Sequence, residues 1–290
     1  MIVDRLFNAI EETGHVCVGL DIDLSYIPEG FRKKFDSVED AIFNFNKEII
    51  DATIDIVACY KPQIAYYEAY GIDGLKAYAR TLKYIKDKGA LSIGDIKRGD
   101  IARTAEMYAK AHFAGEFEAD FITLSPYMGL DSIEPYIPYI ENNEKGVFVL
   151  IRTSNKGSKD IQYISTGKDT KVYNNVGEAI NKLGKNYIGE CGYSSIGGVV
   201  GCTHVDEGIE IRNSLDTTFF LIPGYGAQGG RAEDVALYLK NGNGGVVNSS
   251  RGILLAYKKQ SDGEENFAKC AREEVIRMKN EIKEAINNLK

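Results

Sequence analysis

Eight short runs rich in β-branched and small apolar residues recur along the chain, and most gaps between them hold an amphipathic helical pattern. The runs are HVCVGLD (15–21), IDIVACYK (54–61), ALSIGDIK (90–97), DFITLS (120–125), VFVLIRT (147–153), GGVVGCT (197–203), TFFLIPG (218–224) and GGVVNSS (244–250). Each is bounded by Gly, Pro or a polar turn. Stretches such as VEDAIFNFNKEIIDAT, GLKAYARTLKYIKDKG and RAEDVALYLKNG lie between them. Strands alternating with helices imply parallel βαβ units, because a parallel connection must cross back over the sheet. Eight such units close a (β/α)8 (TIM) barrel of the α/β class, and 290 residues suffice for one. The competing architecture, an open doubly wound sheet, usually carries G-x-G-x-x-G after its first strand; here that strand runs into GLDIDLS. Residues 1–290 are therefore expected to form one barrel domain. A long polar active-site loop is expected at about 154–170 (SNKGSKDIQYISTGKDT), and a charged helix covering the barrel at about 263–290.

Charge and composition narrow the possible functions. With 35 basic against 42 acidic side chains, the formal charge is −7, which argues against a nucleic-acid partner. No apolar run reaches the roughly 18 residues that would suggest a membrane span, and MIVDRLFNAIEETG reads as a charged helix, not a signal peptide. Cys17, Cys59, Cys191, Cys202 and Cys270 are an odd, scattered set without C-x-x-C, as expected of reduced thiols in a cytoplasmic protein. His15, His112 and His204 lack metal-ligand spacing, so no metal is expected. No G-x-S-x-G elbow is present and Cys202 has no positioned partner, which disfavours nucleophilic hydrolysis.

The unusual residues fall at strand ends. Side chains alternate faces along a strand, so Ile93, Asp95 and Lys97 share one face, Val57, Cys59 and Lys61 another, and Cys17, Gly19 and Asp21 a third. Each run thus ends in a charge, and a barrel brings all such ends to one rim. A single charge there could merely mark an exposed strand end. Lysines and aspartates gathered on one rim can offset one another's desolvation. The densest cluster is GDIKRGDIART (94–104), in which Asp100 could also serve as a helix N-cap. A second cluster, IPGYGAQGGRAEDV (222–235), follows the seventh run. Its glycines leave backbone N–H groups open to an anion, and Arg251 follows the eighth run. Barrels frequently bind phosphate with the loops after strands seven and eight.

The motif D-x-K-x-x-D-I-x-x-T, here Asp95 to Thr104, together with P-G-x-G-A-Q-G-G, here Pro223 to Gly230, resembles the orotidine 5′-monophosphate decarboxylase family. Asp21, Lys61, Thr153-Ser154 and Arg251 appear in family order, and the long fifth loop and the NSSRG ending are closer to the longer bacterial subgroup than to the short archaeal one. The resemblance implies a cofactor-free carboxy-lyase of de novo pyrimidine biosynthesis that converts orotidine 5′-monophosphate to uridine 5′-monophosphate. It implies that Lys97 donates a proton to the ring carbon that loses carbon dioxide, with Asp95 beside the departing carboxylate. Lys61 and Asp21 would hold the ribose hydroxyls and the charge network. Ser154 would contact the pyrimidine ring, and Gln228 and Arg251 would grip the phosphate. Ile101, Pro223, Gly226 and Ser250 would also border the nucleotide. Asp100 and Thr104 would cross into the partner's site of a homodimer.

Decarboxylating the orotate ring leaves an electron pair in the ring plane, outside the π system. Protein charge must then stabilise it, and an ammonium held close does so and supplies the proton. Lys97 stays charged in a dry pocket only beside carboxylates, a role that Asp95 and Asp100 fit. One alternative is a keto-sugar-phosphate decarboxylase of the same barrel group. Its magnesium site needs a carboxylate on the second strand, where this chain has Lys61. The others are a Schiff-base aldolase using Lys97 or Lys61 and a catalytically silent nucleotide sensor.

Overall fold

The computed structural model describes residues 1–142, 144–167, 169–226 and 229–289. Eight parallel strands close into a barrel: β1 (Val16–Leu20), β2 (Cys59–Pro62), β3 (Leu91–Arg98), β4 (Phe121–Leu124), β5 (Gly146–Arg152), β6 (Ser194–Val200), β7 (Thr218–Pro223) and β8 (Gly245–Ser249). Each strand pairs with its neighbours in sequence, and β1 closes the ring on β8 through Val16 opposite Val247 and Cys17 opposite Asn248. Helices on the connections pack their apolar faces on the outside of the sheet. Helix Val38–Thr53 buries Ile42, Phe45, Ile49 and Ile50, and helix Phe267–Asn287 lies across it.

Two strands differ from the expected runs. The second begins only at Cys59, because Ile54 is still in helical conformation and donates its N–H to the Ile50 carbonyl at 3.0 Å. The sixth begins at Ser194, ahead of the apolar run. Its small residues are required by its neighbours: a Cβ on Gly197 would lie 2.7 Å from the Phe148 ring and 2.6 Å from the Phe219 carbonyl. Residues 158–162 of the polar segment after β5 form a short helix, and residues 165–167 and 170–171 pair as an antiparallel ribbon. The C-terminal helix occupies Phe267–Asn287, inside the expected 263–290. Among the described residues, no helix is long and apolar enough to cross a membrane.

The barrel interior is layered. Cys17, Cys59, Ile93, Phe121, Phe148, Phe219 and Val246 form an apolar cluster, closed at the N-terminal end by Ile2, Val3, Leu6 and Ile10 of helix Ile2–Thr13. Two residues further along the strands the inward positions become Gly19, Lys61, Asp95, Thr123, Leu150, Leu221 and Asn248. The N-terminal layer is therefore apolar and the C-terminal rim polar. Phe121 and Phe148 meet with ring centroids 5.2 Å apart. Phe148→Ala should lower the unfolding free energy by about 3–5 kcal/mol, read as a fall in the urea midpoint. An unchanged midpoint would show that this ring carries no packing load.

Candidate active site

A cavity of about 840 Å³ opens at the C-terminal rim, and Asp21, Lys61, Asp95, Lys97, Ser154, Pro223, Ser250 and Arg251 all line it. At its floor the charges alternate. Lys97 Nζ donates to Asp95 Oδ1 at 2.5 Å, Lys61 Nζ to Asp95 Oδ2 at 2.8 Å, and Lys61 Nζ lies 3.4 Å from Asp21 Oδ1. Lys61 and Asp95 are buried, while the Lys97 side chain is 46% exposed. Strand register explains the convergence. Gly19 faces Lys61 across β1 and β2, so Asp21 emerges one step above, and Gln63 bridges to Asp95 at the ends of β2 and β3.

Burial by itself would neutralise these groups, but their opposite charges prevail. Desolvation works to lower the Lys61 pKa, yet Asp21 and Asp95 hold it above the ordinary lysine value. Desolvation likewise works to raise the Asp95 pKa, but Lys61 and Lys97 hold this carboxyl well below the usual carboxylate range.

Thr123, which the charge pattern does not reveal, completes the floor. Its hydroxyl donates to Asp95 Oδ1 at 2.9 Å and accepts the backbone N–H groups of Ile96 (3.0 Å) and Lys97 (2.9 Å). The β3–β4 register shifts between Gly94 and Arg98, and Lys97 adopts φ +46°. A left-handed lysine costs about 1–2 kcal/mol, and the three Thr123 hydrogen bonds help hold it there. The same bulge brings the Lys97 ammonium onto the Asp95 carboxylate. In sequence Thr123 is an ordinary threonine inside an apolar strand, which gives no signal of this role.

Asp100, Ile101, Thr104 and Gly226 do not line this cavity. After Gly99 the chain turns onto helix Ala102–Phe113. Asp100 accepts the Ile101 N–H at 2.8 Å, and Ile101 and Thr104 are exposed. Within one chain, Lys97 is therefore paired by Asp95 and not by Asp100. Ile101, not Asp100, is the helix N-cap.

The glycine turn leaves β7 with Gly224 at φ +102°, Gly226 at +68° and Gly229 at +95°. The Gly226 N–H donates to the Gly230 carbonyl at 2.9 Å, and the Gly230 N–H to the Gly224 carbonyl at 3.1 Å. A Cβ on Gly230 would meet the Cys202 sulfur at 2.2 Å, so the turn packs too tightly for a side chain there. Gln228 lies outside the described residues. The Tyr225 hydroxyl donates to Glu281 of the C-terminal helix at 2.5 Å. Of the tyrosines after β2, Tyr66 lines the cavity, whereas Tyr67 is buried and donates to the Leu20 carbonyl at 3.0 Å. Asn155 and Gln162 of the expected active-site loop also line the cavity, as do Gln63 and Asn248, which had no sequence signal.

The histidines lie elsewhere. His15 contacts the Gly242 carbonyl, and His204 begins helix Val205–Ser214. His112 is buried, and desolvation and Arg98 push its pKa down to about 4. All five cysteines are free.

Comparison with known proteins places this geometry. Residues 14–265 match the sequence family described as orotidine 5′-phosphate decarboxylase / HUMPS. The chain is 67% identical over 286 residues to orotidine 5′-phosphate decarboxylase of Clostridium acetobutylicum, covering 99% of this chain and 100% of that one. It is 66% identical over 282 residues to the protein of the same name from Clostridium kluyveri, covering 97% of each. The solved structure of Leishmania donovani OMP decarboxylase superposes with a TM-score of 0.76 at 32% identity, covering 96% of this chain and 99% of that one.

The charge array has a measurable consequence. Asp95 ionises in the fold well below its ordinary 3.8, so its stabilising contribution is complete above that value and declines as the pH falls toward the folded-state pKa. Removing one member of a buried ion pair costs about 3–5 kcal/mol. Asp95→Asn should therefore lose about that much at pH 7 in urea unfolding, and the gap from the parent protein should narrow at about pH 3. A gap independent of pH would contradict the assignment.

Proposed function

The chain belongs to the orotidine 5′-phosphate decarboxylase / HUMPS family, and from that membership we infer that it removes carbon dioxide from orotidine 5′-monophosphate to give uridine 5′-monophosphate. It is a carboxy-lyase of pyrimidine biosynthesis. The observation that carries the division of labour is the alternating array Lys97–Asp95–Lys61–Asp21 at the closed floor of the rim.

In this reading the ring's reacting carbon lies over Lys97 and Asp95. The bond to the carboxylate breaks, its electron pair stays on the ring carbon, and neutral carbon dioxide leaves. The Lys97 ammonium stabilises that pair and then gives it a proton, which leaves a neutral amine to be recharged from solvent. Asp95 aims the Lys97 ammonium through their ion pair, and it crowds the departing carboxylate with like charge. Lys61 and Asp21 hold the ribose hydroxyls. Ser154 faces the pyrimidine. Arg251, with Gln228 and the turn from Pro223 to Gly230, holds the phosphate, bordered by Ser250. Phosphate binding far from the reacting carbon organises the site and excludes water. Lys61 stands where a magnesium-dependent keto-sugar-phosphate decarboxylase needs a carboxylate, which favours the nucleotide reaction over that one. The cytoplasmic location belongs to the same proposal and accords with the five free thiols.

The functional unit in this proposal is a homodimer. Lys97 is half-exposed beside a flank formed by Asp100, Thr104 and the exposed apolar residues Ile101, Met107, Tyr127, Met128 and Leu130. A two-fold partner seated on that flank would cover the apolar residues, and Asp100 and Thr104 of each chain would complete the other's site together with the Ile101 backbone.

Two experiments test this reading. Purified protein in chelator should consume the orotate absorbance of added orotidine 5′-monophosphate. Lys97→Ala should slow that loss by at least about four orders of magnitude while uridine 5′-monophosphate still binds. Near-normal turnover by Lys97→Ala would remove it as the proton donor. Mixing and reassociating Lys97→Ala with Asp100→Ala should restore roughly a quarter of parental activity, since half of randomly mixed dimers are heterodimers with one intact site. No recovery, with mixed dimers present on native mass spectra, would contradict the shared site.

A further inference from the structure

A charged network that the proposed chemistry does not use lies beneath the loop after β5. Arg152, the last residue of β5, has a fully buried side chain. Strict alternation from Phe148 and Leu150 would aim it into the barrel mouth. Instead the register between β5 and β6 shifts between Leu150 and Arg152, and the guanidinium meets Glu207 on the helix after β6. Its Nε donates to Glu207 Oε2 at 2.7 Å. One terminal nitrogen donates to the Thr153 carbonyl and to Ser158 Oγ at 3.0 Å, and the other to the Tyr163 hydroxyl at 2.8 Å. The Tyr163 hydroxyl donates in turn to Glu207 Oε1, which closes a three-membered ring of side chains. The Arg152 guanidinium lies 4.9 Å from the Tyr163 ring centroid, and the Lys171 ammonium 4.4 Å.

This network grips the first half of the loop at its start and at the end of its short helix. Thr153 begins it and Tyr163 ends its short helix. Between them Gln162 accepts the Thr153 N–H at 3.0 Å and donates to the Thr153 hydroxyl at 2.7 Å. Thr153, Ser154, Asn155 and Gln162 line the cavity, whereas Arg152, Tyr163 and Glu207 do not. A buried arginine is stable only with its acceptors in place, so the fold that satisfies Arg152 is also the fold that presents these four residues to the cavity.

We propose that Arg152, Tyr163 and Glu207 are positioning residues that hold the β5 loop in its base-binding shape before substrate arrives, so that they set affinity for the pyrimidine and not for the sugar phosphate. The proposal rests on the reading above that Ser154 faces the pyrimidine. A preformed loop spares the ligand the cost of ordering it, and it places the ring within reach of Lys97.

Tyr163→Phe tests this with the aromatic ring retained. By calorimetry, its affinity for uridine 5′-monophosphate should fall by at least about 10-fold, because the change removes the hydroxyl's hydrogen bonds to both Arg152 and Glu207, while its affinity for ribose 5-phosphate stays the same. Its kcat/KM for orotidine 5′-monophosphate should fall by at least the same factor. Glu207→Gln, which keeps the side-chain shape, should show the same selective loss in weaker form. Equal losses for nucleotide and sugar phosphate would make the network a general scaffold and overturn the proposal. A loss in Ser154→Ala with none in Tyr163→Phe overturns it alone, and a loss in neither overturns the base-facing reading of the loop as well.

Discussion

The site depends on one carboxylate shared by two ammonium groups. Asp95 sits at the end of an apolar barrel, where an isolated ion would be neutralised by burial. It remains charged because Lys61 and Lys97 each meet one of its oxygens, and Lys61 remains charged because Asp21 stands on its other side. Each ion is the solvent of the next. The barrel makes this possible because its strand ends converge and its floor is filled by rings and aliphatic side chains. The array is thus paired within the chain itself, which suits electrostatic catalysis, since charges that must reorient during a reaction stabilise little.

The conformation at Lys97 shows what this rigidity costs. The lysine is held at positive φ, and the strand ladder is broken beside it. Thr123 compensates by accepting the two backbone N–H groups that the ladder no longer serves and by donating to Asp95. A similar division recurs at the rim. The turn after β7 is pinned to the C-terminal helix through Tyr225 and Glu281, and the loop after β5 is pinned from below through Arg152. In each case hydrogen bonds to a neighbouring element hold the segment that faces the cavity.

Much of this was legible in the sequence. Strand period two is short-range and strict, so the shared faces of Asp95 and Lys97, of Cys59 and Lys61, and of Gly19 and Asp21 could be read directly, as could the glycine turn with Arg251 beyond it. Alternation of eight strands with helices implied closure of the barrel. What escaped reading depended on partners distant in sequence. Thr123 looks like an ordinary strand threonine until β3 bulges against it. The start of β6 escaped because Ser194 and Ser195, both buried, stand ahead of the apolar run and look like turn residues. Helix Val38–Thr53 ran into apolar residues that also suited a strand. Asp100 carried the same motif as Asp95, yet after the turn at Gly99 it no longer lines the cavity.

The most direct test of the account is the ionisation of Lys61. Nitrogen-15 NMR of the lysine ammonium groups, assigned with Lys61→Arg, should find Lys61 still protonated at its ordinary pKa of 10.5 and titrating above it. A Lys61 that loses its proton below that value would mean that burial outweighs the flanking aspartates, and the alternating array could not hold its charge.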